Sequence, residues 1–234
     1  MQQPQAVSFD LDGTLATVRL RRWRLWRGVV LHPAILAGYA GVVEELRGER
    51  PADLDAAIVA RLAARTGGST DRTRQVVDEW IDRRWPAAFR HARPPRGVRA
   101  LVEACDRARI PRVVVSDHPA LDKLAAMGLG GWAAVVSCRA LGALKPLPDG
   151  LHAAAAQLGV PVRRILHVGD RPETDGAMAA AAGAAFLDVA TLARGGLPPW
   201  AALPSTSPRS WRTPPPASTM RPGPPCAPTV PTRA

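Results

Sequence analysis

From Ala6 to Asp10 the chain reads AVSFD, a short apolar run closed by an acid and followed by Gly13, the pattern of a buried strand that ends in a loop. Runs of the same kind recur at Arg112–Val115 before Ser116-Asp117, at Ala133–Val136 before Ser137, and at Ile165–Val168 before Gly169-Asp170. Ala184–Leu187 is a weaker fifth. Helical periodicity fills the intervals Val98–Ala108, Ala120–Met127, Asp149–Leu158 and Asp175–Ala182. Strands alternating with short helices predict an α/β fold: right-handed crossovers and a mostly parallel sheet covered on both faces. Ligands of such sheets sit beyond the carboxyl ends of the strands. Asp10, Ser116 and Asp170 all fall there, so three polar positions are expected to meet in one crevice.

Residues 17–93 have a different texture, with helical stretches at Ala34–Arg47, Ala52–Arg65 and Asp71–Trp85 and no strand pattern. They read as a helical insert between the first strand and the rest. The third stretch has Arg74, not an acid, three residues after Asp71, so its start rests on Asp71 alone rather than on a capping box. Beyond Leu197 lie 12 of the 24 prolines, with Ser, Thr and Arg between them and no acid. Such a segment buries too little apolar surface to fold and is expected to be a disordered, partly polyproline tail. The expected organisation is a core of residues 1–16 and 94–192, an insert of 17–93 and a tail of 197–234, with no internal repeat.

Composition changes this picture little. The 234 residues are 47% hydrophobic and 22% charged, enough apolar material for a core. Lys and Arg number 31 against 20 Asp and Glu, a net charge of +11, to which Arg209, Arg212, Arg221 and Arg233 of the tail contribute. An excess of this size is compatible with nucleic acid or an anionic membrane surface. Only two of the 31 basic residues, Lys123 and Lys145, are lysines, and a genome-wide bias toward arginine explains the excess better. Cys105, Cys138 and Cys226 are odd in number and far apart, which indicates neither a disulfide framework nor a zinc site and fits a reducing cytoplasm. Met1–Gln5 lacks the features of a secretion signal, and the nearly apolar Gly28–Val43 is shorter than a membrane span, so a soluble protein is expected.

The strongest chemical signal is Asp10-Leu11-Asp12-Gly13-Thr14-Leu15, two acids separated by one residue directly after an apolar strand. Such charge at a strand end calls for compensation, and a divalent cation such as Mg²⁺, which prefers oxygen ligands, supplies it. A second acidic group, Gly169-Asp170-Arg171-Pro172-Glu173-Thr174-Asp175, follows another strand, making a four-carboxylate cluster of Asp10, Asp12, Asp170 and Asp175. Taken singly, Asp12 or Asp175 is equally well a turn or capping residue; two such pairs at the ends of one sheet make that the minority reading. Lys145-Pro146 adds a compact positive charge suited to a carboxylate nucleophile beside a phosphate. Ser116 offers a hydroxyl for a phosphoryl oxygen.

These four segments, in this order, resemble the four motifs of the haloacid dehalogenase-like (HAD) hydrolase superfamily across about residues 5–190. The resemblance implies a Rossmann-like core with a helical cap inserted after the first strand. It implies that Asp10 is the nucleophile forming an aspartyl-phosphate and Asp12 the general acid/base. Mg²⁺ would be held by the Asp10 carboxylate, the Asp12 backbone carbonyl and Asp170, with Asp175 as a further ligand or supporting partner. Ser116 and Lys145 would bind the transferring phosphoryl group. An acid at position 12 favours phosphate chemistry over dehalogenation. The implied activity is Mg²⁺-dependent hydrolysis of a small phosphorylated metabolite such as a phosphoglycolate-like acid, sugar phosphate or nucleotide. The rivals are a phosphomutase on the same core and a non-catalytic binding protein. Two positions depart from the usual pattern: Asp117 stands where relatives often have asparagine, and Arg96-Gly97 replaces Pro-Gly.

Arg19–Arg27 interleaves five arginines with Trp23 and Trp26. It reads as a solvated helix face with packed tryptophans, in preference to a surface for an anionic lipid, RNA or substrate. Trp80 and Trp85 are expected in the core of the insert, and the five histidines form no ligand-like cluster.

Overall fold

The computed structural model describes residues 3–16 and 26–201. Strands β1 (Ala6–Phe9), β2 (Arg112–Ser116), β3 (Ala134–Ser137), β4 (Ile165–Gly169) and β5 (Ala185–Asp188) form one sheet in the order β3-β2-β1-β4-β5. Every pairing is parallel, with Val7 of β1 opposite Arg112 on one side and Leu166 on the other. All five strands expected from the sequence are present. They were legible because a parallel strand covered on both faces is a continuous apolar run rather than an alternating one.

The period of two still decides which side chain meets which helix layer. Val7, Phe9, Val114, Leu166 and Val168 face helices Arg96–Arg107 and Leu121–Met127, whose Val98, Leu101, Val102 and Leu124 pack on them. Ala6, Val113, Val115 and Ile165 face helices Asp149–Leu158 and Ala177–Ala182 through Leu151, Ala154 and Met178. A short helix Val189–Ala193, capped by Asp188 accepting from the Ala190 amide at 2.7 Å, completes the first layer.

Between β1 and β2 the described residues form the helices Trp26–Leu31, Pro33–Glu45, Leu54–Thr66 and Thr70–Val76. The last runs on as a π-helical stretch, Val77–Arg84, and a 3₁₀ segment, Trp85–His91. Helix Leu54–Thr66 begins where Asp53 accepts from the Ala56 amide at 2.8 Å and stops at Gly67 in the left-handed conformation. The cap of helix Thr70–Val76 is Ser69, accepting from the Arg72 amide, and not Asp71, which lies in the first turn. These helices share their own core of Ile35, Tyr39, Val42, Leu46, Ile58, Leu62 and Trp80. Trp85 touches both this core and that of the sheet, and Phe89 and Ala92 already belong to the sheet layer. The expected tail starts at Leu197, but Leu197, Trp200 and Ala201 pack against the sheet core. The expectations for the side chains of the arginine- and tryptophan-rich segment Arg19–Arg27 and for the tail beyond residue 201 lie outside the described residues. Among the described residues no helix is long and apolar enough to cross a membrane.

One buried guanidinium joins the helical segment to the sheet. Arg139, in the turn after β3, donates to Asp55 of helix Leu54–Thr66, to both oxygens of Asp82 (2.7 and 3.2 Å) and to the Tyr39 hydroxyl (3.3 Å). Arg139→Met leaves these partners unpaired. It is expected to cost about 2 kcal/mol in urea unfolding, less than the ~3–5 kcal/mol of a fully buried broken pair because Asp55 and Asp82 reach water. Arg139→Lys should restore only part of that, since an ammonium cannot make the two-pronged contact with Asp82.

Candidate active site

Because the sheet is parallel, the carboxyl ends of β2, β1 and β4 lie side by side with β1 in the middle. Asp10 leaves the end of β1, Ser116 closes β2 and Asp170 follows β4. Two glycines let the loops close on one another. Gly13 has φ +101°, and a Cβ there would lie 2.1 Å from Asp170 Oδ2; a Cβ on Gly169 would lie 2.4 Å from the Asp175 carboxylate.

Lys145 is the hub. Its ammonium, buried, donates to Asp10 Oδ1 at 2.6 Å and to Asp175 Oδ1 at 2.7 Å. Asp175 is held further by His167 Nε2 at 3.3 Å and by the Arg171 amide at 3.2 Å, and the far side of the His167 ring meets Ser8 Oγ at 2.7 Å. Asp170 accepts a long contact, 3.5 Å, from the Thr14 hydroxyl. Carboxylate oxygens of Asp10, Asp170 and Asp175 lie within 4.8 Å of one another.

The expected four-carboxylate cluster is therefore three. The Asp12 side chain turns away and accepts from Lys123 Nζ at 2.6 Å, with Lys123 itself buried and its ammonium 4.9 Å from the centre of the Phe89 ring. The chain turns after Asp10, and the Lys123 ammonium captures the second carboxylate. Asp117, the departure from the usual asparagine, is also neutralised. Its Oδ2 accepts from Arg47 Nη1 at 2.7 Å and its Oδ1 from the Lys145 amide at 2.9 Å, while Arg47 Nη1 donates to the Lys145 carbonyl at 2.7 Å. The backbone of Lys145 is thus clamped from both sides, by the sheet's Asp117 and by an arginine from the helical segment.

These pairings leave a charge imbalance. Asp12 is matched by Lys123 and Asp117 by Arg47, so Asp10, Asp170 and Asp175 face the single ammonium of Lys145, two negative charges in excess among the described residues. Titration reflects it. Burial, reinforced by Asp175 and Asp12 and opposed by Lys145, pushes Asp10 up to about 7. Burial and the Asp175 charge likewise raise Asp170. Burial also acts to raise Asp175, but the His167 hydrogen bond and the Lys145 charge outweigh it and hold that carboxyl below its ordinary range. Burial acts to lower the Lys145 pKa; the surrounding carboxylates outweigh it and keep the group an ammonium. Three hard oxygen donors with two uncompensated charges fit a divalent cation such as Mg²⁺.

The cluster opens on a cavity of about 190 Å³ that Ser116, His118, Arg171 and Thr174 also line. Ser116 Oγ is buried and has no hydrogen-bond partner among the described residues. At Asp12, Arg47, His118 and Arg171 this cavity meets a larger one, about 380 Å³, between the helical segment and the sheet. Burial, with the Lys123 charge, pushes His118 down to about 4, so it is a neutral imidazole at pH 7. Trp85, expected only in a core, also forms part of the larger cavity's wall.

All six residues singled out by sequence are brought to this edge of the sheet. Reasoning on sequence missed Lys123, although being one of two lysines in an arginine-rich chain was a signal that served for Lys145 and applied equally to it. It missed Arg47, for which the sequence carries no local signal: its partner Asp117 is 70 residues away.

Solved structures share this fold. CbbY from Rhodobacter sphaeroides in complex with phosphate aligns with a TM-score of 0.58 at 20% identity, over 79% of this chain and 85% of that one. β-Phosphoglucomutase from Clostridium difficile aligns at 0.58 and 16% identity over 80% and 84%. A 2-haloacid dehalogenase from Pseudomonas syringae pv. Tomato DC3000 aligns at 0.50 and 21% identity over 78% and 85%. No curated protein sequence matches the chain. The family model for haloacid dehalogenase-like hydrolases matches residues 4–183, the whole sheet apart from its last edge strand together with the inserted helices, and the chain belongs to that family.

Proposed function

We propose that the protein is a divalent-metal-dependent phosphomonoester hydrolase whose nucleophile is Asp10. The observation that carries this reading is the Ser116 hydroxyl, buried, without a partner and lining the same cavity as Asp10 and Lys145. A buried hydroxyl left unsatisfied calls for a ligand, and a phosphoryl oxygen held between this donor and the Lys145 ammonium accepts from both.

Asp10, Asp170 and Asp175, with the Asp12 backbone carbonyl that the family resemblance implies, would hold Mg²⁺. When bound, the ion neutralises the excess charge of the cluster and the charge that develops on the phosphoryl oxygens. An Asp10 oxygen attacks phosphorus in line with the ester oxygen. The O–P bond to Asp10 forms as the bond to the leaving oxygen breaks, and the proton that oxygen needs comes from Asp12. Lys123 holds one Asp12 oxygen and leaves the other to carry the proton. In the second half, Asp12 takes a proton from water, whose oxygen attacks the aspartyl-phosphate and releases phosphate with Asp10 restored. Lys145 keeps Asp10 aimed throughout. Dehalogenation is disfavoured because a halide leaves without needing a proton, which gives the acid at Asp12 no role in that first step.

Phosphate release from simple phosphomonoesters is expected with Mg²⁺ and to vanish with EDTA. Asp10→Asn should lower kcat by about 10³-fold or more with an unchanged melting temperature; retained turnover in that variant would remove Asp10 from the mechanism. A requirement for a sugar bisphosphate activator would identify a mutase instead.

Asp170→Asn is expected to weaken Mg²⁺ binding at least about tenfold in titration calorimetry. Lys123→Met is expected to lower kcat about tenfold or more while KM changes little, because Lys123 orients Asp12 rather than the phosphate. An equal loss in KM would assign Lys123 to substrate binding.

A further inference from the structure

We infer that the alcohol carried by the phosphate is apolar: the substrate is a phosphomonoester of an aromatic or branched aliphatic alcohol, and not a sugar phosphate, a nucleotide or a phosphoglycolate-like acid. The inference rests on the phosphatase reading above and concerns the larger cavity.

That cavity is where a leaving group must lie. It joins the phosphoryl cavity at Asp12, the residue that would protonate the leaving oxygen, and continues for about 380 Å³ between the helical segment and the sheet. This volume lies within the range of small-molecule sites. Its far wall is apolar. Leu36, Ala40 and Val43 stand four and three residues apart on helix Pro33–Glu45 and so share one face. Ile81, Trp85 and Pro86 supply the opposite side.

Among the described residues most of the polar groups that reach this space are already engaged, the second Asp12 oxygen being reserved for the proton of the leaving group. The Tyr39 hydroxyl meets Arg139 at 3.3 Å and His118 Nδ1 at 3.5 Å. Both Asp82 oxygens accept from Arg139. Glu44 accepts from Arg47 and Arg171, and Arg47 is held on Asp117. A sugar hydroxyl entering here gives up water for walls whose donors and acceptors serve other partners, and an unpaired buried polar group is costly. A second carboxylate, as in phosphoglycolate, meets arginines whose charge is spoken for. A flat or branched hydrocarbon loses nothing and covers Leu36, Ile81 and Trp85, which the protein leaves only half-buried.

The test compares benzyl phosphate with glucose 6-phosphate and phosphoglycolate on the full chain with Mg²⁺. All three are esters of primary alcohols, so the difference reports the pocket rather than the leaving group. kcat/KM for benzyl phosphate is expected to exceed the other two by about tenfold or more. Leu36→Asn is expected to shrink that ratio by raising the KM for benzyl phosphate.

Hydrolysis of all three esters, abolished by Asp10→Asn but with glucose 6-phosphate or phosphoglycolate equal or ahead, overturns the apolar assignment and leaves the phosphatase reading standing. Hydrolysis of none overturns the phosphatase reading, and calorimetric binding of two non-hydrolysable phosphonates then decides the pocket. Benzylphosphonate binding about tenfold tighter than phosphonoacetate upholds it, and equal or reversed affinity overturns it.

Discussion

The ammonium of Lys145 makes the rest of the site possible. Three carboxylates crowded at one edge of a sheet repel one another, and burial removes the water that would otherwise screen them. Lys145 bridges two of them at 2.6 and 2.7 Å, and Asp175 is further fixed by His167 from within β4. The lysine is itself held at both ends of its residue, since Asp117 accepts from its amide and Arg47 donates to its carbonyl. An aspartate at position 117 does here what an asparagine cannot. It accepts from the Lys145 amide with one oxygen and pairs the guanidinium of Arg47 with the other, where an asparagine would present a second donor. The unusual residue and the arginine from the inserted helices are one device.

Legibility followed the range of the interactions. Strands β1 to β5 could be read because each is a local apolar run, and Asp10, Ser116 and Asp170 could be read because polar residues closing such runs are local too. Lys145 was legible through the scarcity of lysine in the chain. Lys123 carries the same signal but sits within helix Leu121–Met127, where a lysine is unremarkable until Asp12 is found beside it. Arg47 lies in the turn after helix Pro33–Glu45 with nothing nearby in sequence to mark its role. The start of helix Thr70–Val76 was misread by two residues because Ser69 and Asp71 are both acceptable caps, and the choice depends on backbone conformation rather than residue type. The π-helical stretch at Val77–Arg84 follows from tertiary packing, since it brings Trp80 into the core of the insert while Trp85 reaches the sheet layer.

Adhesion of the helical segment to the sheet and the character of the large cavity have a common origin. Arg139 draws in Asp55, Asp82 and Tyr39, and Arg47 and Arg171 draw in Glu44 and Asp117. Each contact ties inserted helices to the core, and each removes a polar group from those a substrate could use. Leu36, Val43, Ile81 and Trp85 give the space between the two layers an apolar wall. A family member that bound a hydroxyl-rich alcohol in this space would have to free some of these groups and hold its helices by other means. In this chain most of these polar groups are committed to closure, so on the proposed reading discrimination at the alcohol falls to shape and desolvation while the phosphoryl end is recognised by charge.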